Sequence, residues 1–234
     1  MCLLKVTLSQ KAKTLYMIVS VIICAIAMSF VDGVIQPQYF VKSLIKLGLF
    51  LIVPIIYFVV TKENATEIKK LFTPKWRDLV KALFLGLAVY GFILGGYFLL
   101  RNFMDFSGIA SKLTADSGVS ADNFLYVALY ISFVNSFLEE FFFRGFGFIS
   151  LKKTTSRAFA YIFSAVLFAL YHAGMTAGYF NFGVFVLTLI GLSVAGIIFN
   201  YLNEKSENIY TSWLVHMFAN FSINTVGFIL FGMV

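Results

Sequence analysis

Glu139, Glu140 and Arg144 stand together in one apolar stretch, His172 in the next and His216 in the last. A charged side chain at the centre of a membrane helix costs about 2.5 to 3.5 kcal/mol on insertion scales, so this cluster requires compensating partners or a task. Glu140 and Arg144 have the i, i+4 spacing at which a guanidinium neutralises a carboxylate on its own helix. That spacing predicts Glu139 as the less compensated acid, able to exchange a proton with water. Ser132, Asn135 and Ser136 continue the polar stripe. The Phe and Leu residues opposite, Phe141, Phe142 and Phe143 among them, read mostly as lipid-facing bulk.

His172 closes the run Phe168-Ala-Leu-Tyr-His172, one turn beyond Phe168. His216 opens His216-Met-Phe-Ala-Asn220, which puts Asn220 a turn away and able to fix the ring's tautomer. Ser212 and Asn224 extend that line. A lone membrane histidine is a common packing group between helices. A carboxylate with two imidazoles is a set that can hold and deprotonate a water, with or without a metal.

The elements that must position these groups are membrane helices. The 234 residues are 60% hydrophobic and 12% charged, where a soluble domain carries roughly 25% charged residues, so the chain reads as an all-α, polytopic transmembrane helix bundle. At about 20 residues per span, seven spans fall at roughly 14–31, 42–61, 79–100, 124–147, 158–174, 181–202 and 209–232. A half-inserted eighth segment fits beside Gly174 and Gly178. The first run reads as a retained span, and residues 1–234 as a single integral membrane domain with its motif-bearing core at about 124–232. Counting turns from the cytoplasmic ends places Glu139 and His216 roughly 10 to 12 Å deep and His172 roughly 20 Å deep.

The net charge of +7 sits mostly in the connections. The positive-inside rule then puts the N-terminus in the cytoplasm, with Lys5, Lys11, Lys13, Lys69, Lys70, Lys152, Lys153 and Arg157 inside and Lys42, Lys46, Arg101 and Lys112 outside. That distribution explains the basic charge without a nucleic-acid partner; the expected surroundings are the lipid bilayer, as a multi-pass protein of the cell membrane. Residues 62–78 read as an interfacial connector and 102–123 as the longest polar loop. Cys2 and Cys24 fall in different environments, which argues against a disulfide. Gly91 and Gly95 have the spacing of a close helix contact, and Ser193 reads as a small packing residue, since mid-span it lacks the strained turn of a nucleophile elbow.

Glu139-Glu140-x-x-x-Arg144, Phe168-x-x-x-His172 and His216-x-x-x-Asn220, in that order on three polar-striped segments, resemble the three motifs of the CPBP family of intramembrane proteases, also called Abi or CAAX-type proteases. The resemblance spans residues 139–220. It implies an intramembrane endopeptidase in which Glu139 activates water with help from His172, His216 and Asn220 stabilise the oxyanion, and Glu140 with Arg144 shapes the site. The implied substrate is a membrane-associated peptide or protein, with bacteriocin or peptide maturation or self-immunity as the family's usual roles. No cofactor is required by these residues. Zinc is one candidate, with Glu139, Glu140, His172 and His216 as ligands; yet a ligating glutamate cannot also be the free base, and His-Glu-x-x-His is absent, so the preferred reading is a metal-independent glutamate mechanism. A cavity opening towards the cytoplasmic half is expected. Two other classes fit the same residues: a non-catalytic immunity or scaffold protein, and a proton-coupled carrier, although seven spans without paired broken helices match an inverted-repeat transporter poorly.

Overall fold

The structure, a computed structural model, describes residues 8–234 except Asn64 and Ser107; Cys2 and Lys5 lie outside the described residues. Among these residues seven helical segments are long and apolar enough to cross a membrane, and they coincide with the seven spans read from the hydrophobic runs. In chain order the helices are α1 (Gln10–Ile35), α2 (Tyr39–Thr61), a short α3 (Ala65–Leu71), α4 (Trp76–Leu100), α5 (Ile109–Ser117), α6 (Ala121–Ser150), α7 (Arg157–Thr176), α8 (Phe182–Ser206) and α9 (Tyr210–Leu230). No eighth crossing is present among the described residues. The segment after His172 is a single turn, Ala173–Thr176, and α5 within the polar 102–123 connection has 9 residues, too short to span.

Local chemistry fixes the helix starts. Ser9, Ser156 and Asn181 accept from Ala12, Phe159 and Val184, each bond answering one of the backbone N–H groups that a helix start leaves unpaired. Ser120 and Asn123 form a reciprocal capping box at the start of α6. Gly118, at φ +67°, takes the left-handed turn that closes α5 just before it.

Helix α6 runs through the centre, touching α1, α2, α7, α8 and α9. Phe141, Phe142, Phe143, Phe146 and Phe148 are all buried, so the expected lipid-facing surface is instead the core. Phe142 stacks on Phe50 of α2 with centroids 4.2 Å apart, and Phe143 packs its ring against Phe50, Phe168 and Tyr171. A membrane offers little hydrophobic drive between helices; close packing of such rings supplies the contact energy instead.

Small residues let the other helices close in. A Cβ on Gly196 of α8 would lie 2.8 Å from Ala165 Cα of α7, and one on Gly86 of α4 would lie 2.5 Å from the Phe218 ring of α9. Gly174 meets Ser29 of α1, whose hydroxyl accepts its N–H at 3.0 Å. A Cβ on Gly91 or Gly95 would meet nothing within 4 Å, so no close contact inside this chain uses that pair, which leaves its spacing for a contact between copies; within the chain the close approach on α4 falls at Gly86. Ser193 donates to Leu189 O within its own helix, as a packing residue does.

Candidate active site

Helix α6 is π-helical over Tyr130–Asn135 and again over Glu140–Ser150. A π turn widens the helix and changes which carbonyls it can offer, a distortion common at functional sites. Helix α9 uses them. Trp213 Nε1 donates to Phe133 O at 3.2 Å, Asn220 Nδ2 to Ile131 O at 3.2 Å and Asn224 Nδ2 to Ala128 O at 3.1 Å. This ladder clamps α9 along α6 and brings His216 level with the glutamates.

Glu140 lies against α9. Its Oε1 accepts from His216 Nδ1 at 2.9 Å and pairs with Arg144 Nη1 at 3.3 Å, and its Oε2 accepts from Ser212 Oγ at 2.5 Å. The clasp predicted from the i, i+4 spacing is present. Arg144 is wholly buried and also stands over the Phe168 ring at 3.9 Å and 5.0 Å from that of Phe199, so two π faces supplement the single carboxylate. Glu140, not Asn220, orients His216: the carboxylate holds Nδ1–H, leaving the Nε2 lone pair free. Asn220 spends its amide on the backbone of α6, which corrects the tautomer role expected of it.

Glu139 is buried too, but it is not the uncompensated acid its spacing predicts. Lys46 of α2 reaches its Oε1 at 3.2 Å; Asn135 Nδ2 and Tyr171 Oη donate to the same oxygen at 2.7 and 2.9 Å. Lys46 also contacts Asn135 Oδ1 and Tyr171 Oη. The other oxygen, Oε2, makes no hydrogen bond to the described residues. It faces His172 Nε2 at 3.7 Å and His216 Nε2 at 3.8 Å.

His172 therefore reaches the level of Glu139, although counting turns places it deeper. Its Cα–Cβ bond tilts back towards the start of α7, as all helical side chains do, and Nδ1–H donates to Phe168 O at 2.7 Å. That leaves Nε2 as an acceptor. Three acceptors, one carboxylate oxygen and two imidazole nitrogens, thus face one another, and a water between them can donate to Glu139 Oε2 and to one of the two rings.

Zinc fits these residues poorly. Tetrahedral zinc sets nitrogen and oxygen ligands about 3.4 Å apart, closer than the 3.7 and 3.8 Å found here. Both carboxylates already hold a cation, Lys46 on Glu139 and Arg144 on Glu140, so a divalent ion would add charge that nothing balances. Among the described residues no three His, Cys, Asp or Glu side chains gather at metal-site spacing.

Access lies at an end the basic connections do not share. The glutamates are 1% and 0% exposed, whereas His172, His216 and Asn220 retain 8%, 6% and 8%. A cleft of about 490 Å³ opens between the first turns of α2 and α6, lined by Tyr39, Ser43, Leu47, Tyr126 and Tyr130. Ser43 and Leu47 are within a turn of Lys46. The Lys- and Arg-rich connections follow the opposite ends of both helices, where Lys13, Lys152, Lys153 and Arg157 pair with Glu63, Glu67 and Glu204. This cleft thus opens at the ends of α2 and α6 away from the basic connections, and Glu139, His172 and His216 are not among its lining residues.

Residues 121–222 match the family model described as Rce1-like, type II CAAX prenyl endopeptidase. The motif-bearing segment is similar to that family over these residues. The match agrees with the resemblance to the CPBP, or CAAX-type, proteases carried by the three motifs, and it supports a protease built as a multi-pass membrane protein. No curated protein and no solved structure matches the chain. The matched region contains Glu139, Glu140, Arg144, His172, His216 and Asn220. It excludes Lys46, which the charge count assigns to an outside connection. The sequence carries only a weak signal for it: Lys46, with Lys42, falls inside the apolar run 42–61, where a charge near a helix end reads like a loop charge.

Proposed function

We propose that this protein is an intramembrane endopeptidase in which Glu139 activates a water held with His172 and His216. The observation that carries the proposal is the bare Oε2 of a buried glutamate facing two Nε2 atoms at 3.7 and 3.8 Å. Water donating to Oε2 loses that proton to Glu139 as its oxygen bonds to the scissile carbonyl carbon. The tetrahedral intermediate's oxyanion lies beside the imidazoles. His216 takes up a proton from solvent at Nε2, Glu140 at 2.9 Å from Nδ1 stabilises the resulting imidazolium, and the new Nε2–H donates to the oxyanion and returns its proton to solvent after collapse. Collapse breaks the C–N bond, and Glu139 returns its proton to the leaving nitrogen. Arg144 pairs with Glu140 at 3.3 Å and so offsets its charge, and Asn220 fixes α9 so that His216 stays in reach. The chain's own residues and solvent supply each step.

The substrate is a membrane-associated peptide or protein entering from the bilayer through the α2–α6 cleft. Export-linked peptide maturation or bacteriocin self-immunity is the setting we infer from the motif resemblance. The experiment is cleavage of prenylated and unmodified C-terminal CAAX-type peptides, and of single-span membrane peptides, by detergent-purified protein, with products identified by mass spectrometry. Wild type cleaves, and the folded Glu139→Gln variant loses about 10²- to 10⁴-fold in rate, the range contributed by a general base. Undiminished cleavage by folded Glu139→Gln would end the assignment. Dialysis against a chelator leaves the rate unchanged; a loss reversed by added zinc would contradict the metal-independent step.

A further inference from the structure

Lys46 is a buried cation in the first half of α2, outside the family-matched region and outside the three motifs. An ammonium has three hydrogens to donate and accepts none. Three acceptors surround Nζ: Asn135 Oδ1 at 2.5 Å, Glu139 Oε1 at 3.2 Å and the hydroxyl oxygen of Tyr171. The tyrosine and asparagine in turn donate their own hydrogens to Glu139 Oε1. Every hydrogen of the ammonium thus has an acceptor, and Oε1 receives three donors. Oε2 receives none from the described residues.

We propose that Lys46 is a positioning residue that ties down one oxygen of Glu139, so that the other alone faces His172 and His216. The inference rests on the reading of Glu139 as the base. A carboxylate can rotate about its terminal bond, and with both oxygens free it would present either one at arbitrary angles. Anchoring Oε1 from α2 and α7 removes that freedom. Among the described residues the ammonium supplies the positive charge paired directly with Glu139, while Arg144 pairs with Glu140.

The charged and titratable groups facing Glu139 come from four elements. They are Lys46 and Tyr39 of α2, Glu140, Arg144 and Tyr130 of α6, Tyr171 and His172 of α7, and His216 of α9, with the Asp32–Lys42 pair joining α1 to α2 at 3.0 Å. Removal of Lys46 leaves no other cation on Oε1.

The test uses the full chain in detergent, with wild type, Lys46→Met, Lys46→Arg, Glu139→Gln and the Lys46→Met/Glu139→Gln pair. Infrared difference spectra across pH isolate the carboxyl band that Glu139→Gln abolishes. In Lys46→Met that band persists to neutral pH or above, as expected when the cation beside a buried carboxylate is lost and burial then favours the neutral form. Lys46→Arg keeps the charge and leaves the band near its wild-type position. Cleavage of the CAAX-type peptides by Lys46→Met falls about tenfold or more at neutral pH, and the deficit shrinks as pH rises. A band unmoved in Lys46→Met, or a deficit equal at every pH, overturns the proposal. Should Lys46→Met fail to fold, recovery of the fold in the double variant supports the coupling, and a double variant as unstable as the single one overturns it. Undiminished cleavage by Glu139→Gln would remove the base itself, while the band shift would still report on Lys46 separately.

Discussion

The two glutamates are adjacent in sequence and have opposite situations. Glu140 has both oxygens engaged, by His216, Arg144 and Ser212, whereas Glu139 has one oxygen bound threefold and the other bare. This asymmetry is what allows one to be a support and the other a base. Arg144→Ala leaves Glu140 as a buried charge without its cation, and breaking such pairs costs about 3 to 5 kcal/mol. The expected result is a marked fall in the melting temperature of detergent-purified protein, partly restored in Arg144→Ala/Glu140→Gln; an unchanged melting temperature in the single variant would contradict the clasp. The motif residues and the Glu140–Arg144 pair were legible from spacing alone. Lys46 was not, because a charge near a helix end is indistinguishable from a loop charge until the neighbouring helix is known to offer acceptors.

Among the elements, α6 and α9 hold the site by side chains bonded to backbone. Asn220 and Asn224 both donate to carbonyls of α6, and Trp213 adds a third bond one turn from His216. Asn220→Ala therefore weakens the α6–α9 contact by about 0.5 to 1.5 kcal/mol, the net worth of one hydrogen bond, and lowers cleavage through misplacement of His216. Thermal unfolding paired with rate measurement checks this; reduced cleavage at unchanged stability would return Asn220 to a direct role at the oxyanion. Gly174→Ala is more severe. A Cβ there would stand 1.9 Å from Ser29 O, which forces α1 away from the turn that carries His172. The seven spans were legible because twenty-residue apolar runs have few alternatives in a bilayer. The burial of Phe141, Phe142 and Phe143 was not, since a helix apolar on every face reads alike whether lipid or other helices surround it.

For the whole molecule, charge and access point to opposite ends. The basic connections cluster beyond the ends of α2 and α6, and the cleft opens beside their beginnings. Following the positive-inside rule, we propose that the N-terminus and those connections are cytoplasmic, which places the cleft in the outer half. Single cysteines introduced at Asp116 and Lys153 in a Cys2→Ala/Cys24→Ala background test this with a membrane-impermeant thiol reagent. Labelling of the first in intact cells, and of the second only after permeabilisation, is expected, and the reverse pattern would invert the topology. The account depends most on what lies between Glu139 and the two imidazoles. An experimental density map fine enough to show ordered solvent tests it directly. It should show one water within about 2.6 to 3.2 Å of Glu139 Oε2 and of the Nε2 of at least one of His172 and His216. A map in which Oε2 turns away from the imidazoles, or either ring points to lipid, would contradict the hydrolytic centre.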